Sequence, residues 1–196
     1  MRTIFWLLCC VLLIGGCAQA PVPPAKFYRI YTTDPQAAAT DAYLNGVLVV
    51  RRFLADGLVG ERAIVFGEGA GSNPLQQYHY HAWAESPTRM LQELLVAYLR
   101  TNNAAVEVIT PETRVDAKFE LSGKIKRMEQ IRGADTRVVV ELEFALSEPR
   151  AGRLIWVDTY LVEIDCESDS ILSAVEAFNR AVSEIYAQLV DDIRKS

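Results

Sequence analysis

Histidine occurs only twice in these 196 residues. A nucleophile–His–acid triad would have to use His79 or His81, and no Gly-x-Ser-x-Gly elbow precedes a helix, so hydrolysis of the Ser–His type is not expected. Cysteine is nearly as sparse: there are four, and Cys9, Cys10 and Cys17 crowd the N-terminus. Cys166 alone remains in the body of the chain, as a small side chain closing an apolar strand. Stability there must come from packing and not from an intramolecular disulfide. No apolar run reaches the roughly 17–25 residues of a transmembrane helix. Excess positive charge is missing too. The formal net charge is -5, a poor basis for holding nucleic acid or an anionic headgroup layer by charge alone. The glycine-rich stretch 67–74 lacks the Lys-Ser/Thr of a phosphate loop and leads into a strand, so it reads as a hairpin tip.

The first 17 residues are the most informative. Arg2 is followed by an apolar run from Ile4 to Ile14, and Gly15-Gly16-Cys17 closes it. A basic start, an apolar core and small residues before a cut site describe a secretory leader. Leu13-Ile14-Gly15-Gly16-Cys17 resembles a bacterial lipobox, in which the Cys thiol is diacylglycerated, the leader is cut before it, and the new amine is acylated (palmitate is a typical chain). Residues 1–16 are then the leader, 17–26 the lipidated Cys17 with a tether, and 27–196 one domain. Each buried CH₂ contributes about 0.8 kcal/mol to membrane binding, so three chains would hold the protein where one could not. Ala18 follows Cys17 where enterobacterial sorting would read Asp as a retention signal, which points to the outer membrane and a periplasm-facing domain. Three prolines between residues 18 and 26 favour an extended tether of roughly 28 Å at ~3.1 Å per residue.

The remaining chain reads as α+β. A short strand is expected at Phe27–Tyr31, a central apolar strand at Val47–Phe53, and a hairpin from Glu61–Phe66 and Gln76–His81. Pro87 suits the first turn of a helix running from Ser86 to Asn102, with Met90, Leu91, Leu94, Leu95, Tyr98 and Leu99 as its apolar stripe. A brief strand at Val106–Thr110 precedes three long alternating strands. Phe119, Leu121 and Ile125 line one face of the first, and Val138, Val140, Leu142, Phe144 and Leu146 one face of the second. The third runs from Leu154 to Cys166 with both faces partly apolar. The strongest periodicity is the last: Ile171, Val175, Phe178, Val182, Ile185, Leu189 and Ile193 define a helix over about 168–194. Together these give a two-layer domain, a mostly antiparallel sheet packed by two amphipathic helices.

Chemistry-bearing clusters are few. His79 and His81 share a strand face, but zinc takes three or four ligands and no acidic or thiolate partner is evident, so no metal is expected. No catalytic set and no cofactor motif emerges. Trp83 lies between hairpin and helix, where its bulk suits the core better than a partner.

The order of these elements is similar to one known family. A lipobox Cys17, a Pro-containing tether, the aromatic stretch Phe27-Tyr28-Arg29-Ile30-Tyr31, the segment from Phe53 to Ile64, and Tyr78-His79-Tyr80-His81-Ala82-Trp83-Ala84-Glu85-Ser86-Pro87 before a helix resemble the ABC-type transport auxiliary lipoproteins. His81-Ala82 stands where Arg usually precedes Trp, and Ser86-Pro87-Thr88 replaces Pro-Leu. The resemblance implies a non-enzymatic component that docks an MCE-domain (mammalian-cell-entry) protein, with its ABC permease and ATPase, at the outer membrane for phospholipid transport. It makes Trp83, Glu85, Asp56 and Arg62 candidate partner contacts, and a homo-oligomer a candidate assembly. Two readings stay open beside it: a periplasmic lipid carrier with a lipid ligand of its own, and an assembly lipoprotein for another envelope machine.

Overall fold

The computed structural model describes residues 22–33, 41–69 and 74–196. The leader, Cys17, the tether up to Pro21 and the Ala-rich connection 34–40 lie outside the described residues, as do residues 70–73 of the glycine-rich loop.

The elements in chain order are β1 (Lys26–Tyr28), β2 (Leu44–Val50), β3 (Leu54–Ala55), β4 (Ala63–Glu68), β5 (Leu75–Trp83), α1 (Pro87–Thr101), β6 (Ala105–Ile109), β7 (Phe119–Arg132), β8 (Arg137–Glu148), β9 (Arg153–Asp165) and α2 (Ile171–Arg194). The α+β class follows, with two α-helices and one curled mixed sheet among the described residues. β7, β8 and β9 form the expected antiparallel meander. The other edge of β7 is shared: β2, β3 and β4 lie parallel to it in turn, against Phe119–Leu121, Lys124–Ile125 and Glu129–Arg132. β6 extends the sheet beyond β2, also parallel. β5 pairs antiparallel with β4, and β1 runs parallel to β5.

A bulge between Ile125 and Arg127 interrupts the pairing of β7 with β8, between the stretches that meet β3 and β4. It adds a residue to β7 and reverses the alternation, so Phe119, Leu121 and Ile125 are buried before it, and Met128 and Gln130 after it. The sequence alternation fades at this point, and the strand continues to Arg132. Gly123, on the core face, admits the Phe53 ring; a Cβ there would lie 2.7 Å from Phe53 Cε1. The opposite face of the meander is wetted and carries pairs such as Lys126–Glu141 at 3.0 Å and Arg137–Glu163 at 2.7 Å.

α2 packs on β8 and β9. Its Ser170 Oγ accepts a hydrogen bond from Ser173 N at 3.2 Å and caps a helix that starts at Ile171, three residues after the Ser168 that periodicity suggested. Phe178, Val182, Ile185 and Leu189 are fully buried along its stripe. Burying each contributes about 1.5–3 kcal/mol. α1 starts at Pro87, with Ser86 extended before it but making no side-chain cap bond. Asn103, at φ +50°, takes the left-handed conformation that ends this helix. The two helices meet where Tyr98 and Tyr186 stack edge to face and Tyr186 Oη donates to Leu91 O at 2.7 Å.

β1 is shorter than its aromatic run suggested. After Tyr28 the chain turns its backbone to α2: Tyr31 N donates to Asn179 Oδ1 and Thr33 N to Ser183 Oγ, both at 3.0 Å. Ile30 is buried on the way.

Candidate functional site

β1, β5 and the start of α1 meet in a closely bonded junction. Trp83 N donates to Arg62 O, and Ala84 N to Tyr28 O, each at 2.7 Å. The Arg62 guanidinium donates through Nε to Trp83 O at 3.2 Å and through Nη2 to Ala84 O at 3.0 Å, and lies 5.3 Å from the centroid of the Phe27 ring. The Trp83 ring is 2% exposed and meets Phe178 edge to face at 5.4 Å, so it sits in the core and not at the surface. Glu85 is half exposed and pairs with Arg89 at 3.3 Å. Asp56 belongs to a different place, the turn over β7: its N donates to Ile125 O at 2.9 Å and its carboxylate pairs with Lys124 at 2.9 Å. The fold therefore brings Arg62, Trp83 and Glu85 to one junction and leaves Asp56 outside it.

Phe27 also lines an open concavity of about 760 Å³ between β1, β5, the end of β7 and the start of α2. Tyr28 Oη is 2.8 Å from His81 Nδ1, and the two rings stack at 5.7 Å. Burial, then the Lys26 ammonium, hold the His81 imidazole below its ordinary pKa. Tyr78 Oη donates to Gln130 Oε1 at 2.8 Å, and burial raises both tyrosine pKa values. Arg132 lies over the Phe66 ring at 5.3 Å, and its only ion pair among the described residues is a long one, 3.8 Å to Glu68. Asp169, the lone carboxylate lining the concavity among the described residues, accepts a hydrogen bond from Thr136 Oγ1.

Of the two histidines, only His81 joins this cluster by a hydrogen bond; His79 is exposed. The sequence reading named neither Tyr28, Tyr78 nor Arg132 as functional. Their only signal was an aromatic or basic residue at a strand position, which many surfaces share. A smaller groove of about 260 Å³, between Ile30–Tyr31 and α1, is flanked by Glu85 and Glu93. Between sheet and helices, Phe144, Phe178 and Tyr186 are fully buried side chains. No group of three or more His, Cys, Asp or Glu is placed to hold a metal among the described residues. Burial raises the Cys166 thiol pKa, which disfavours a reactive thiolate.

A family model described as ABC-type transport auxiliary lipoprotein component matches residues 28–190. The chain belongs to this family. Its membership makes it a lipoprotein accessory to ABC-type transport and associates it with a membrane of the cell envelope. Among solved structures it is similar to protein XCC0632 from Xanthomonas campestris, with 18% identity and a TM-score of 0.73, covering 84% of this chain and 92% of that one. A second similar structure, described as an uncharacterized protein, has 14% identity and a TM-score of 0.69, covering 87% of this chain and 99% of that one. At these identities the likeness is one of fold. No curated protein matches the chain. Among the described residues no helix is long and apolar enough to cross a membrane.

Proposed function

We propose that this protein is the outer-membrane fixture of an intermembrane lipid transport system. It is held by acyl chains on Cys17 and docks an MCE-domain assembly whose ABC permease and ATPase sit at the inner membrane. The family match over residues 28–190 carries the reading, and the lipobox-like Gly15-Gly16-Cys17 supports it. Physical need supports it too. Every CH₂ of an acyl chain wetted in the periplasm costs free energy, so a shielded route between membranes needs a fixed far end. ATP hydrolysis belongs to the cytoplasmic partner, and this domain performs no chemistry of its own.

Docking would use exposed groups. Glu85 and Asp56 present carboxylates to a partner, whereas Trp83 and Arg62 shape the backbone that carries Glu85. Several copies would suit a symmetric MCE partner. The test is purification of the tagged full chain from envelopes in mild detergent. Recovery of an MCE-domain protein together with an ABC permease is expected. Their absence across several mild detergents would overturn the docking role.

A further inference from the structure

Buried polar groups in folded proteins almost always find a hydrogen-bond partner, so the exceptions are informative. Two buried side-chain nitrogens among the described residues lack one, Arg132 Nε and Gln130 Nε2. Both belong to one place. The residues are two apart on β7 and share its face beyond the bulge. Arg132 lines the 760 Å³ concavity, and Gln130, itself fully buried, is bonded to the wall residue Tyr78. The rest of the lining has two characters. Lys26 and Arg132 supply positive charge, against the single carboxylate of Asp169. Phe27 and Leu172 line the same space yet are 60% and 62% exposed, which leaves an apolar surface largely open. A cationic floor beside exposed apolar side chains suits an amphiphile with an anionic head. The space is within the usual range of ligand cavities, roughly 300–1,000 Å³.

We propose that this concavity binds the phosphodiester headgroup of a glycerophospholipid. The Arg132 guanidinium, on a side chain that is 40% exposed, and the Lys26 ammonium meet the phosphate. Phe27 and Leu172 meet the glycerol and the first acyl carbons. Lys26 opens β1, nine residues after Cys17, so the site lies at the end of the domain that the tether would bring to the bilayer. This deepens the transport reading, on which its biological sense rests: the fixture would hold a lipid at the point of transfer as well as dock a partner.

The test is native mass spectrometry of the full chain released from an uncharged detergent, with three probes: dioleoylphosphatidylglycerol, dioleoylglycerol (the same chains without phosphate) and inorganic phosphate. The expected result is a one-to-one phosphatidylglycerol adduct at least tenfold more abundant than either other adduct at equal concentration. Arg132→Gln should lower it about tenfold, Arg132→Lys should recover part of it, and Arg153→Gln on distant β9 should leave it unchanged. Equal adducts with dioleoylglycerol would mean apolar adsorption, and a phosphate adduct of equal strength would mean a free-anion site. Either result overturns the proposal, as does an Arg132→Gln adduct equal to wild type in a variant whose melting temperature is unchanged. The partner purification is independent. A chain that binds phosphatidylglycerol but recovers no MCE-domain protein keeps this site and loses the docking role; the opposite pair of results does the reverse.

Discussion

Arg62, over the Phe27 ring, and Arg132, which lines the concavity with Phe27, are in opposite condition. Arg62 spends its nitrogens on two carbonyls and its flat face on the Phe27 ring, and so closes the junction that carries Trp83. Arg132 has a long ion pair, a ring beneath it, and a buried nitrogen with no partner. One arginine is consumed by the fold, and the other is held out by it. The contrast separates structural from binding roles more clearly than residue type or exposure does, since both guanidinium groups are partly open to solvent.

The largest effect should come from the closed side. Trp83→Ala removes a 2%-exposed ring packed on Phe178 and should cost about 3–5 kcal/mol, read as a lower denaturation midpoint at constant slope. A loss below about 1 kcal/mol would mean that the junction is not core. Next is Arg62→Ala, which frees two carbonyls and should cost about 1 kcal/mol, modest because the group is partly exposed. Arg132→Gln should leave stability within about 0.5 kcal/mol of wild type, since it removes an unpartnered donor and a weak pair. If Arg132→Gln proved as costly as Arg62→Ala, the distinction between the two would fail.

The smallest effect is a pH dependence on the open side. The folded protein holds His81 below its ordinary pKa, so the unfolded chain takes up that proton first on acidification. Its stabilising contribution is full above about pH 6.5 and is lost as pH falls toward the lower folded value. Thermal melts over that range should show a shallow decline that His81→Gln abolishes.

Legibility in the sequence followed the same divide between local pattern and long-range assembly. The α2 stripe and the faces of β8 could be read residue by residue, because each has an unbroken period against one neighbouring layer. β7 was readable only to its bulge, where one extra residue cancels the alternation. The parallel joins of β2, β3 and β4 to β7 left no mark, because parallel partners are chosen by crossovers distant in sequence. Trp83 was legible as core because size alone argued for it. The state of Arg132 was not, because an unpartnered nitrogen is a property of surroundings drawn from four separate elements.

Acyl anchoring through Cys17 decides where the domain works, and labelling cells with radioactive palmitate while fractionating their membranes reads it out. Label is expected in the wild-type chain recovered with the outer membrane, and neither label nor membrane retention in Cys17→Ser. Label that persists in Cys17→Ser, or a wild-type chain found unlabelled in the soluble periplasm, would contradict it.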